Sequence, residues 1–407
     1  MKFIKGGVCA AKGFSAAGLH VGVKTKNKDK KDIALIVSEA PCHAAAVYTK
    51  NIVKAAPLHV TQSHLSDGKA RAVFANSGNA NACAPRGIEN AVRMCKAIAA
   101  ELNIETEDVI VASTGVIGQE LPIEIIESGV SKLAASLNSG ADGSKDAAHA
   151  IMTTDLTVKE AAAEFEAGGK TLKIGGIAKG SGMIHPNMGT MLAFLTTDCA
   201  ISADMIQKAL KDAANISFNR VSVDGDSSTN DMLTLMANGL GGNEEITKPG
   251  ADYDSFTKAL GEVCIQLAKM IASDGEGATH LITCKVKGAP SETIAEIASK
   301  SVISSTLVKA AMFGADANWG RILCAMGYSG ASFDPEKVNV AFESAAGRVQ
   351  VCENGKGLAF DEDTAKKILT EHEIIIDIDM QSGEKQCICW GCDITYDYIK
   401  INGDYRT

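Results

Sequence analysis

The hydrophobic positions of this chain keep two rhythms. Short apolar runs bounded by Gly, Pro or Asn predict buried strands over 33–37, at the start of 73–83, and over 108–112, 191–195 and 282–288. Recurrence every three or four residues predicts helices instead. Ile88, Val92, Cys95, Ala99 and Leu102 share one face over 88–102, and Met205, Ile206, Ala209 and Leu210 share one behind an N-capping Ser202. Phe256, Leu260, Val263, Leu267 and Met270 mark the most regular helix, over 256–271. From about residue 281 a strand, a helix over 291–300 and a terminal β-hairpin are expected, the hairpin formed by EIIIDIDM (373–380), the turn QSGEK and a second strand. Interspersed strands and helices make this an α/β (α+β) chain. We place a boundary near residue 280, between a core of 1–280 and a smaller C-terminal α/β domain of 281–407.

Composition narrows the functional classes. With 407 residues, 46% of them hydrophobic and 22% charged, the chain is long enough for more than one core. A formal charge of −9 argues against a general nucleic-acid surface. No run reaches the ~18 apolar residues of a membrane span, and the start MKFIKGGVCAAKGF lacks a signal core, so a cytoplasmic protein is expected. The twelve cysteines, scattered from Cys9 to Cys392, then read as reduced, mostly buried thiols.

The candidate chemistry gathers at 179–198, KGSGMIHPNMGTMLAFLTTD. Here a glycine-rich approach becomes a buried strand. A Gly189-Thr190 bond has no side chain on its acyl side, so the Thr190 hydroxyl could attack its own preceding carbonyl. Hydrolysis of the ester would leave Thr190 as a new N-terminus. Its amine, with a reference pKa of roughly 7.7–8.0, could serve as general base for its own Oγ. Read locally, the same pair is also an ordinary turn before a strand.

Other stretches carry weaker local signals. The lysine-rich KTKNKDKK (24–31) reads as a solvated hairpin turn rather than a phosphate patch. NSGNANAC (76–83) reads as an amide-rich loop satisfying its own backbone. Ser113-Thr114-Gly115-Val116-Ile117-Gly118 follows a strand, where backbone N–H groups can face a developing anion. VSVDGDSSTNDM (221–232) begins like a calcium loop. It has Thr229 where that loop needs Gly and Leu235 where it needs Glu, so it is read as a structured loop without an assigned role. Cys387, Cys389 and Cys392 outline a CxxC-type redox or metal reading, although no second pair completes a zinc site. Phosphate-loop, dinucleotide, HExxH and GxSxG motifs are absent from the sequence, and the eight histidines form no cluster.

The stretch around Thr190 resembles the self-cleavage motif of the ornithine acetyltransferase family, the bifunctional glutamate N-acetyltransferases of arginine biosynthesis. Its pattern runs KGSGMI, any residue, PNM, a small residue, TML, Ala or Ser, Phe, and every position is met. NSGNANAC, STGVIG, TTD, VDGDSSTND, DGEGAT, FGADANWGRIL and the terminal WGCDITYDYIKINGDYRT match the family in order. Ala11, His280 and Gly403 depart from its usual Pro, Lys and Ala.

The resemblance implies a layered αββα-like core. It also implies self-cleavage between Gly189 and Thr190, and acetyl transfer from N2-acetylornithine to glutamate through acetyl-Thr190. Thr114 and Gly115 become the oxyanion hole. Thr153 (or Thr154), Lys179, Thr190, Glu276, Asn402 and Thr407 become substrate contacts. His185 is read as non-catalytic because the family tolerates other residues there. Neither a cofactor nor a metal is implied, with acetyl-CoA a second donor in some members. The cleaved chains are expected to assemble as an α2β2 heterotetramer. Two rival readings remain, a self-processing amidase or aminopeptidase of the same fold, and a thiol redox or metal protein built on the three C-terminal cysteines.

Overall fold

The structure, a computed structural model, describes residues 1–25, 30–185 and 191–403. Its strands form two mixed sheets. The first has nine strands, in the order Lys2–Ile4, Lys159–Ala167, Lys170–Lys179, Leu192–Thr197, Met232–Ala237, Ile33–Tyr48, Lys69–Asn79 and Val109–Val116, with Phe14–Leu19 pairing Ile33–Tyr48. Ile33–Tyr48 ties this sheet together. Residues 33–38 pair Phe14–Leu19 and residues 43–48 pair Met232–Ala237, with a register shift between Val37 and Cys42 where it meets Lys69–Asn79.

Alternation of side chains along each strand sorts them into layers. Leu192 and Phe194 face one core with Met232 and Met236, and the same core receives Ala34, Ile36, Val73, Ala75, Ile110 and Ala112. The opposite faces diverge. Ala193, Leu195, Leu233 and Leu235 pack under the helices Ala203–Ile216 and Ala251–Ser273. Ile33, Leu35, Ala72, Phe74, Val109 and Val111 pack under Gly87–Leu102 and Ile123–Ala135. Helix, one part of the sheet, shared core, the other part of the sheet and helix is the αββα layering expected. The helix Ala141–Ile151 adds Ala147, Ala148, Ala150 and Ile151 to the shared core.

The second sheet, of seven strands, runs Lys356–Gly357, Gly347–Glu353, Asn339–Ser344, Glu373–Asp379, Leu281–Ala289, Lys385–Cys392 and Val221–Ser222. Its core lies mainly between this sheet and the helices Glu292–Ser304, Trp319–Gly327 and Glu362–Leu369. The expected terminal hairpin does not form. Glu373–Asp379 and Lys385–Cys392 both pair Leu281–Ala289, which lies between them, parallel to one and antiparallel to the other. The turn chemistry of QSGEK is that of a hairpin, but Leu281–Ala289 fills the place between the two strands and bonds to both.

Two further expectations are refined. NSGN and STGV are continuations of their strands rather than loops, because residues 76–79 and 113–116 pair with each other in parallel and so satisfy their backbones mutually. The strands flanking the lysine run pair antiparallel, as a hairpin requires. Lys24 is not solvated, however. Its ammonium donates to the carbonyls of Lys31 and Met152, both at 2.7 Å, and burial lowers its pKa to about 8. Residues 26–29 lie outside the described residues. Ser202 stands at the N-cap of its helix without a side-chain bond to it, whereas Ser291 caps the helix predicted over 291–300 through the Ile294 N–H. No helix among the described residues is long and apolar enough to cross a membrane.

Candidate active site

Parallel pairing brings the strand Leu192–Thr197 beside Met232–Ala237, with Leu192 opposite Met232. A cavity of about 270 Å³ opens at this end of the sheet. Into it come Thr114 and Gly115, Thr153 and Thr154, Lys179, Asp231, Glu276 and Asn402, from six separate segments. Every described residue expected in the site is thus at one place. Gly189, Thr190 and Thr407 lie outside the described residues. Met191, the neighbour of Thr190 in sequence, lines the cavity.

Lys179 ends the strand Lys170–Lys179 and is nearly buried, at 8% exposure. Its ammonium donates to Thr153 Oγ1 at 2.8 Å and to Thr114 Oγ1 at 3.4 Å. Of the two threonines left open by the sequence, Thr153 is therefore the one in direct contact with the lysine. Glu276 follows the longest helix and is 6% exposed. Asn402 Nδ2 donates to its Oε2 at 2.6 Å. Gly182 lies against the same carboxylate, and a methyl group there would sit 2.4–2.5 Å from its Cδ and oxygens. A side chain there would displace the carboxylate from its place.

Gly115 is fixed by a second constraint. Its φ is +135°, and a Cβ would fall 2.3 Å from the Gly78 carbonyl carbon. Such a backbone and such a contact exclude side chains. Asn230 locks the junction from the other side, donating to the carbonyls of Ala80 (2.6 Å) and Ser113 (2.8 Å). Asn76 and Ser113 complete it, with the Ser113 hydroxyl on Asn76 Oδ1 at 2.6 Å and the Asn76 amide on the Asn79 carbonyl at 2.9 Å. These amides serve the backbone, as the local reading of NSGNANAC held.

Beneath the cavity lies an ionic network that the motifs did not single out. Lys159 is fully buried and reaches Asp155 at 2.7 Å and Asp274 at 2.5 Å. Asp155 also accepts the N–H groups of Thr153 (3.0 Å) and Gly180 (2.7 Å) and lies 3.8 Å from Lys179. Burial raises its pKa, but Lys179, Lys159 and the Gly180 N–H outweigh burial and hold it well below the usual carboxylate range. Asp274 accepts from the N–H groups of Leu156 and Thr157, and its carbonyl accepts the Ser181 hydroxyl at 2.6 Å. One buried trio thus ties TTD, KGSG and DGEG together.

The VDGDSSTND loop acquires positions as well. Asp224 accepts from the N–H groups of Met183 (2.5 Å) and Ile184 (2.8 Å), and burial raises its pKa. Ser228 to Asp231 line the cavity. His185 shares its Nδ1 with the Ser222 hydroxyl at 2.9 Å, and burial lowers its pKa to about 4. The cysteines make no comparable site. All twelve are free, and no group of three or more metal-ligating side chains occurs among the described residues.

A profile of the ArgJ family matches residues 15–407. The chain belongs to the ArgJ family. An arginine biosynthesis bifunctional protein ArgJ of Symbiobacterium thermophilum is 51% identical over the full length of both chains. That of Bacillus subtilis is 47% identical, covering 99% of this chain and 97% of its own. The crystal structure of an ArgJ from Bacillus halodurans superposes with a TM-score of 0.50 at 44% identity, covering 53% of this chain and 99% of the solved one. The family read from the motifs is thus the family found, and the enzyme class expected with it, an acyltransferase of arginine biosynthesis, stands.

Proposed function

We propose that this protein moves the acetyl group of N2-acetylornithine to glutamate, through an acetyl ester on Thr190 formed after the chain cuts itself behind Gly189. The observation that carries this reading is the convergence of Thr114, Gly115, Thr153, Lys179, Glu276 and Asn402 on one cavity beside Met191. Cleavage gives chains of 189 and 407 − 189 = 218 residues. The solved Bacillus halodurans chain, itself 99% covered, spans 53% of this one, about the share that 218 residues make of 407.

In the first half-reaction the donor's carboxylate lies by Lys179 and Thr153, and its free amine by Glu276 and Asn402. Thr190 Oγ attacks the acetyl carbon, and its proton passes to the Thr190 amine. Thr114 and Gly115 hold the oxyanion, at about 2.7–4 kcal/mol per donor. The C–N bond breaks, the Thr190 amine returns the proton to the leaving nitrogen, and ornithine departs. Glutamate then attacks the ester with its own amine, so the kinetics are ping-pong. Every group named belongs to the chain, and we infer no cofactor. Acetyl-CoA enters as a second donor where the enzyme also makes acetylglutamate directly.

We further propose that residues 1–280 carry the catalytic core and that 281–407 close it, Asn402 and Thr407 reaching the substrate. The two cleaved chains stay together as an α2β2 heterotetramer in the cytoplasm. The test is acetyl transfer by the purified protein. Ornithine release that requires glutamate and yields acetylglutamate supports the transferase. Rapid release of acetate without glutamate supports the amidase reading instead.

A further inference from the structure

Self-cleavage poses a proton problem that the mature enzyme does not have. Before the cut the Thr190 nitrogen is part of the scissile amide and cannot act as a base. Some other group must supply a proton to it as it leaves. Among the described residues three ionisable side chains line the cavity, Lys179, Glu276 and Asp231. Lys179 is engaged by Thr153 and Thr114, and Glu276 by Asn402.

Asp231 differs from both. It is 3% exposed, and its Oδ2 has no hydrogen-bond partner among the described residues. Its backbone is fixed on both sides. The Asp231 carbonyl accepts the Thr49 N–H at 3.0 Å, and the next N–H, of Met232, donates to the Met191 carbonyl at 3.0 Å. In the parallel register that pairs Leu192 with Met232, Asp231 is the neighbour of Met191. Burial raises its pKa well above the ordinary value, with Ser228, Lys179, Thr49 and the Met191 N–H only partly offsetting it. Burial of this kind favours the protonated carboxyl over the carboxylate. A buried acid with one oxygen left unpartnered costs stability, and such a cost at a cavity is a mark of function.

Resting on the reading of Thr190 given above, we propose that Asp231 is the proton carrier of the self-cleavage. Thr190 Oγ bonds to the Gly189 carbonyl carbon, and the C–N bond breaks. The Asp231 carboxyl gives its proton to the leaving Thr190 nitrogen. The resulting carboxylate takes the proton shed by Oγ, so the aspartic acid is restored. Water then opens the ester, returning a hydrogen to Oγ and leaving a carboxylate on Gly189.

The experiment follows cutting by intact mass after cell-free synthesis of the wild type, Asp231→Asn, Asp231→Glu and Thr190→Ala. Asp231→Asn is expected to slow cleavage by at least about 10²-fold, the usual worth of a positioned acid. Asp231→Glu should restore part of the rate. Asp231→Asn should also melt no lower than the wild type at neutral pH. An acid whose folded pKa is raised binds more protons folded than unfolded, so its cost grows as pH rises above about 4, and the amide lacks that cost. Should the amide variant fail to fold, the wild-type rate against pH decides. A fall as the carboxyl ionises supports the carrier, and a flat or rising profile overturns it. Wild-type cutting at Thr190 with unslowed Asp231→Asn sinks this proposal alone. A wild type that is never cut there sinks the reading of Thr190 beneath it.

Discussion

Two regions of this molecule advertise chemistry in the sequence, and the fold treats them oppositely. Around the cavity, Thr114, Lys179, Glu276 and Asn402 are separated by tens to hundreds of residues and end on one space. In the C-terminal strand, Cys387, Cys389 and Cys392 are almost adjacent and yet do not form a site. Lys385–Cys392 is a strand, so Cys389 and Cys392, three apart, face opposite sides of the sheet. Cys389 packs with Ser299, its Sγ accepting the hydroxyl at 3.1 Å, and burial pushes its pKa far up. Cys392 lies instead by Lys309 and against Gly275. A hydrogen bond with Cys389 lowers the Cys387 pKa, but both sulfurs stay buried. Spacing along the chain carries chemistry only when the element's geometry turns the side chains the same way.

The sharpest way to break this contrast is to cut the support beneath the cavity. Lys159→Met takes the shared ammonium from Asp155 and Asp274, leaving Asp274 with backbone N–H groups alone and Asp155 with the more distant Lys179. It should lower stability by about 3–5 kcal/mol, read by denaturant unfolding, and take transfer activity with it. Lys179→Met leaves that trio but removes the cation facing the substrate. It should cost about 2–5 kcal/mol in kcat/KM for acetylornithine, with folding retained. Gly182→Ala presses a methyl into the Glu276 carboxylate and should cost about 1–3 kcal/mol, as a raised KM for acetylornithine rather than a lowered melting point.

Acid titration gives a smaller effect. Asp155 has a depressed folded pKa, so its stabilisation is complete above the unfolded value of about 3.9 and is lost as pH falls below it. Thermal melts of Lys179→Met should show a shallower acid-side loss than wild type, since Lys179 is the foremost charge holding Asp155 down. The smallest effect belongs to the other region. Cys387→Ser with Cys389→Ser should leave transfer within about twofold, and a collapse of activity in a folded variant would revive the thiol reading.

Most of the fold was legible because its strands and helices keep their periods, whereas the layering came from the family resemblance and not from any local pattern. The hairpin was misread because Leu281–Ala289 comes from nearly a hundred residues earlier, and no turn signal reveals an inserted strand. In the site, Thr114, Gly115, Lys179 and Glu276 were visible through their motifs. Lys159 was not, since a lysine opening a strand looks like a surface residue and only the fold buries it. Asp155 and Asp274 stood inside recognised motifs, but nothing local says that they share one ammonium. Asp231 was hidden in a loop that matched the family and was given no role.

The central claim is that Thr190 becomes an N-terminus and the nucleophile. Intact mass with N-terminal sequencing of the purified protein, beside Thr190→Ala, tests it most directly. The account predicts two wild-type chains, the second beginning Thr-Met-Leu-Ala, and one uncut chain in the variant. A single uncut wild-type chain that still transfers acetyl groups would contradict it.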